Sequence, residues 1–87
     1  IPGTIIDAYS AGLPVIAAQW QNFTDIIDEG ITGFGYELGN RDALYNILER
    51  IADSPDMILR NKNKCIDKAR YYTPDAVLNK ILSIIRY

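Results

Sequence analysis

The residue types that could do chemistry in this chain are few, and the gaps among them are informative. No histidine occurs in the 87 residues, which removes the commonest general base and every histidine-containing zinc site. The lone cysteine, Cys65, cannot close an internal disulfide and has no imidazole to activate it. It reads as a half-buried helix residue in a chain from a reducing compartment. Among the carboxylates, Asp7 sits within the helical phrase Thr4-Ile5-Ile6-Asp7-Ala8-Tyr9-Ser10-Ala11, where it reads as an exposed helix residue. Gly3 and Thr4, just ahead of it, read as a turn and an N-cap. Asp25 and Glu29 fall near a helix end, where capping or solvation accounts for them. Asp25 and Asp28 make no acid/base pair that spacing alone can define. Trp20 and Phe23 occupy a loop, either as packing or as the lining of a pocket. Arg60, Lys62, Lys64, Lys68 and Arg70 form a basic run whose simplest role is a solvated helix face.

Composition bounds the rest. The chain is 48% hydrophobic and 23% charged, with a formal net charge of −2 and a pI near 4.8. That is one small domain, and at this length folding buries only about 60% of the unfolded surface. The mild acidity argues against nucleic acid, which needs a clustered Lys/Arg surface. No apolar run reaches the ~20 residues of a membrane span, no stretch of these residues reads as a signal peptide, and the apolar content is too high for disorder. The chain opens Ile1-Pro2-Gly3 without an initiator methionine, and it is expected to be a fragment.

The elements that must position these residues follow from periodicity and punctuation. Residues 4–11 predict a short helix, stopped by Gly12 in a left-handed C′ position, with Leu13 as its hydrophobic contact and Pro14 preventing continuation. Residues 14–18, Pro-Val-Ile-Ala-Ala, form an apolar run without alternation, the pattern of a strand buried on both faces. Thr24 is expected to cap a second short helix, Thr-Asp-Ile-Ile-Asp-Glu, ended by Gly30. Residues 33–38 predict a second strand, weakened by two glycines.

Asn40 opens a helix with Leu44, Ile47, Leu48 and Ile51 on one face. Ser54-Pro55-Asp56 and Thr73-Pro74-Asp75 each start a further helix. The first of these carries Ile58, Cys65 or Ile66, and Ala69 on its apolar side; the second stacks Val77, Leu78, Ile81, Leu82 and Ile85. A helical crossover between parallel strands implies an α/β sheet. Two strands alone make a poor one, so further strands or a second copy of the chain are expected to cover its edge.

The opening phrase, Ile1-Pro2-Gly3-Thr4-Ile5-Ile6-Asp7-Ala8-Tyr9-Ser10-Ala11-Gly12-Leu13-Pro14-Val15-Ile16-Ala17, resembles a signature of retaining GT-B glycosyltransferases of the "group 1", family 4-like type. Those enzymes carry two glutamates separated by seven residues, then a small-residue helix ending Ala-x-Gly-x-Pro-Val. Asp7 stands at the second acidic position, and the first falls two residues before Ile1. The likeness continues through Asp25-Ile26-Ile27, Glu29-Gly30-Ile31-Thr32-Gly33-Phe34 and Gly39-Asn40. It covers about half the chain by motif.

The resemblance implies an incomplete Rossmann-like half-domain: residues 1–39 as helix-strand-helix-strand, and 40–87 as three helices. The whole is then a piece of the nucleotide-sugar-binding C-terminal domain. It implies that Gly3, Thr4 and Ile5 at the helix entrance face the donor diphosphate, with Asp7 accepting hydrogen bonds from ribose hydroxyls. Aspartate is one methylene shorter than glutamate, so the ribose must sit closer or a water must bridge.

No cofactor, no metal and no catalytic residue of this chain is implied. The phosphate-gripping Arg/Lys pair and the acceptor contacts belong to parts of such enzymes outside it, so the isolated chain is expected to be inactive. The implied partners are a nucleotide-diphosphate-sugar donor and a polysaccharide or lipid-linked glycan acceptor, in the bacterial cytoplasm or at the inner face of the membrane. The alternative reading is a non-catalytic, self-associating α/β module, homo-oligomeric through an exposed sheet edge or its helices. A sugar-nucleotide epimerase of the same fold fits the Asp7-to-Val15 phrase less well.

Overall fold

A computed structural model describes residues 3–72. In chain order these form α1 (Gly3–Ser10), β1 (Val15–Ala18), a single 3-10 turn (Phe23–Asp25), β2 (Gly33–Tyr36), α2 (Arg41–Asp53), α3 (Asp56–Arg60) and α4 (Lys62–Arg70). The helix expected from Thr73 onward lies outside the described residues.

The stop after α1 is built as its sequence requires. Gly12 has φ +78°; its amide donates to the Tyr9 carbonyl and the Leu13 amide to that of Ala8, both at 2.9 Å. This is a Schellman closure, and only glycine enters it without strain. The chain then turns directly into β1, which pairs in parallel with β2 in the register Val15↔Gly33 through Ala18↔Tyr36. The fold is thus α/β, two parallel strands with helices, an incomplete Rossmann-like half-domain.

The glycines of β2 are seats for neighbours. A Cβ on Gly33 would collide with the Val15 carbonyl, and one on Gly35 would lie 2.5 Å from the Phe23 ring. The outer edge of β2 is closed by its own approach loop: the Gly30 amide donates to the Gly33 carbonyl at 2.8 Å, and the Gly35 amide to Glu29 Oε2 at 3.0 Å. On β1, Val15 and Gln19 donate toward β2. By strand alternation Ile16 and Ala18 therefore present their amides to the other edge.

Six expectations are corrected. Gly3 is itself helical, so Thr4 is not the N-cap of α1, and all four residues of β1 are half-buried, not buried on both faces, because this two-stranded sheet is not fully covered. The second short helix is reduced to the turn Phe23–Asp25, with Asn22, not Thr24, at its N-cap in the left-handed region at φ 64°. Beyond it Ile26 and Ile27 are both buried, and Thr32 accepts the Asp28 amide at 2.9 Å, so these residues pack and turn instead of continuing a helix. The second strand ends at Tyr36 rather than at residue 38. The helix after Pro55 is broken at Asn61, which ends α3 and starts α4, and no Ser54 side-chain cap forms. The break lets Met57 and Ile58 face the sheet and α2 while Cys65 and Ala69 reach α1. Lastly, Cys65 is wholly buried, not half-buried. Asn40 does cap α2, its side chain accepting from the Ala43 amide at 3.0 Å.

Candidate functional site

The first four amides of a helix have no intrahelical acceptor and concentrate its positive pole. In α1 these belong to Gly3, Thr4, Ile5 and Ile6. Gly3 and Thr4 are exposed, and a Cβ on Gly3 would meet nothing within 4 Å, so the space beside it is open. Ile5 is buried and belongs to the core cluster, which leaves its backbone amide as its one contribution to a ligand.

Asp7 is exposed, three residues beyond Thr4 and four beyond Gly3, on the face of α1 opposite Ile5 and Tyr9. Among the described residues no side chain pairs with its carboxylate. A hydroxyl at the helix mouth and a free carboxylate one turn in thus share one face. The tight turn at Gly12–Pro14 joins α1 directly to β1.

The surroundings are rigid. Tyr9 is fully buried, with its Oη 2.8 Å from the Ile26 carbonyl and 3.0 Å from Thr32 Oγ1. A phenol has one proton, so when Tyr9 donates to Ile26 it accepts from Thr32. Burial pushes the Tyr9 phenol above its ordinary value, opposed by the Thr32 hydrogen bond, and burial likewise pushes the Cys65 thiol up. This hub escaped the sequence reading, because Thr32 lies 23 residues from Tyr9. Trp20 packs against the same cluster and meets Phe23 edge-on, ring centroids 6.1 Å apart. Both loop aromatics are therefore engaged in packing.

Asp28 meets Lys68 at 3.2 Å, and Asp67 pairs with Arg70 at 3.2 Å, so the basic run is partly neutralised by carboxylates. Among the described residues no group of three or more His, Cys, Asp or Glu is arranged to hold a metal, and no helix is long and apolar enough to cross a membrane.

No protein-family model matches the chain. A protein described as a sucrose synthase, from Acidithiobacillus caldus, is 28% identical to it over 88 positions, 95% of this chain and 11% of that protein. The chain therefore spans about a tenth of the length of the curated relative it matches. This likeness supports a glycosyltransferase-like origin.

Proposed function

We propose that the chain is part of the nucleotide-sugar-binding C-terminal domain of a glycosyltransferase, of the retaining "group 1" type. The parent moves a sugar from a nucleotide-diphosphate donor to a polysaccharide or lipid-linked glycan. One observation carries the reading: Gly3, Thr4 and Asp7 share one exposed face in the first turns of α1, with open space beside Gly3.

The N-terminal amides of α1, from Gly3 through Ile5, and the Thr4 hydroxyl offer donors to the diphosphate, reinforced by the helix dipole. The Asp7 carboxylate, with no protein partner among the described residues, accepts from the ribose hydroxyls one turn further on. The leaving group is already good, so the chemistry rests on positioning and on stabilising the departing diphosphate. This chain supplies one wall of that arrangement and is inactive alone.

Titration of the isotope-labelled chain with UDP, ADP and GDP tests the reading. Saturable amide shifts at residues 3–7, lost in Asp7→Ala with the fold intact, are expected from at least one nucleotide. A flat response at residues 3–7 with all three removes the donor-site reading.

The self-associating module remains the second reading, favoured by β1. Among the described residues none bonds to the outward amides of Ile16 and Ala18, and the strand is apolar throughout. Concentration-dependent sedimentation without nucleotide response distinguishes it.

A further inference from the structure

The basic run of α4 has a more specific setting than a solvated face. Lys64, Asp67, Lys68 and Tyr71 recur at i, i+3, i+4 and i+7, so they form one stripe along the helix flank. The neighbouring stripe, Cys65, Ala69 and Tyr72, packs into the core. Opposite the flank stands the loop before β2, contributing Asp28, and between them lies an open cleft of about 700 Å³, within the range of small-molecule sites.

The cleft has a fixed wall and a free platform. Lys68 Nζ lies 3.2 Å from Asp28 Oδ1, and its side chain is only 19% exposed. Tyr72 is anchored, its hydroxyl donating to the Asp25 carbonyl at 2.9 Å. Tyr71, one residue earlier, is 75% exposed. Lys64 makes no ion pair with a described residue. The lining thus carries two ammonium groups and two carboxylates, Asp28 held by Lys68 and Asp67 sharing its carboxylate with Arg70 outside the cleft, so the charges of the lining itself cancel.

That balance offers no net attraction to an anion or a cation. It does offer donors and acceptors side by side, which is what vicinal hydroxyls need, since each both donates and accepts. An exposed aromatic ring next to them suits the apolar C–H face of a pyranose. We propose that this flank cleft binds a neutral sugar unit of a glycan, stacked on Tyr71 and hydrogen-bonded by Lys64, Asp67 and the Lys68–Asp28 pair. It shares no residue with the start of α1 and needs no nucleotide, so it stands whether or not the donor site does.

The test is a titration of the isotope-labelled full chain with maltose, cellobiose and chitobiose. Saturable shifts are expected at residues 28–31 and 64–71 but not at 3–7. Tyr71→Ala should weaken binding about tenfold, whereas Tyr71→Phe keeps the ring and the affinity. Tyr71 is exposed, so neither change should move the thermal melt. The proposal is overturned if none of the three sugars gives a saturable shift. Shifts that persist undiminished in Tyr71→Ala, or inorganic phosphate binding more tightly than every sugar, overturn it equally. Nucleotide titrations read at residues 3–7 of the same samples fail or succeed independently.

Discussion

Two apolar regions flank this small sheet, and they are finished to different degrees. On one side α1, α4 and Ile26 close around Tyr9, Cys65 and Ala69, of which the first two have no exposed surface. Tyr9 ties this side together with polar contacts to Ile26 and Thr32. On the other side, α2 and α3 stand over β1 and Phe34 with an open apolar groove of about 290 Å³ between them. Only Ile47 of α2 is buried there, while Leu48 and Leu13 remain about half exposed at 46% and 51%. One amphipathic stripe is satisfied within the described residues and the other is half satisfied. Stability should therefore concentrate on the α1–α4 side, which also carries the candidate donor face on its outer surface.

The harshest way to break that comparison is Tyr9→Ala. Deleting a fully buried aromatic leaves a cavity, and such changes cost about 3–5 kcal/mol. The Ile26 carbonyl also loses its Tyr9 donor, and the Thr32 hydroxyl keeps only the Asp28 amide. For a fold this small the expected result is loss of the cooperative urea transition followed by circular dichroism. A variant that retained its midpoint would show that the α1–α4 side is not the stability centre.

Alkaline pH attacks the same side without mutation. Tyr9 and Cys65 are acids held neutral by burial, with folded values raised above the ordinary 10.0 and 9.0. At pH values between the unfolded and folded values, the unfolded chain has already lost the proton that the folded chain keeps. The stabilisation is complete below the ordinary values and is lost as pH rises from them through the raised folded ones. Thermal midpoints recorded from about pH 8 to pH 11 should fall, beginning in the range of the ordinary thiol. The Tyr9→Phe variant should lose the tyrosine part of that slope. An unchanged slope in Tyr9→Phe removes Tyr9 from the account.

The sheet offers a smaller, sharper contrast between two glycines. Gly33→Ala drives a methyl into the Val15 carbonyl, and the strands must part, at about 1–3 kcal/mol. Gly3→Ala meets open space and should leave the urea midpoint unchanged. It tests the donor face cleanly, since any loss of nucleotide-induced shifts cannot come from unfolding. Equal destabilisation by the two substitutions would mean that the start of α1 is more tightly enclosed than the described geometry allows.

What the sequence revealed follows the range of the forces involved. Gly12-Leu13-Pro14 and Asn40 act within one turn of chain, and both the stop and the start formed as read. The exposure of Thr4 and Asp7 and the burial of Ile5 follow from helical period, whereas their grouping as a donor face came only from the family resemblance. The helix expected after Thr24 failed because Ile26 and Ile27 are held by distant partners, whose pull no local propensity records. The break at Asn61 has the same origin, since α3 and α4 serve opposite sides of the sheet. The flank cleft was invisible for a simpler reason. Asp28 and Lys68 are 40 residues apart, and the sequence showed two unrelated charges.

The smallest expected effect is the most informative about the unfinished side. Full burial of a leucine contributes about 1.5–3 kcal/mol, and Leu48 has only about half of its surface covered. Leu48→Ala should therefore cost about 1 kcal/mol or less, clearly less than the neighbouring Ile47→Ala, where the side chain is 7% exposed and truncation costs about 2–5 kcal/mol. The two substitutions remove similar amounts of hydrocarbon from adjacent positions of α2, so propensity and denatured-state effects largely cancel in their difference. A wide gap in urea midpoints means that the groove stands open to water in solution. Near-equal losses at low and high protein concentration mean that the chain itself covers Leu48. Equality that appears only as concentration rises means that a second copy does, as the self-associating reading requires.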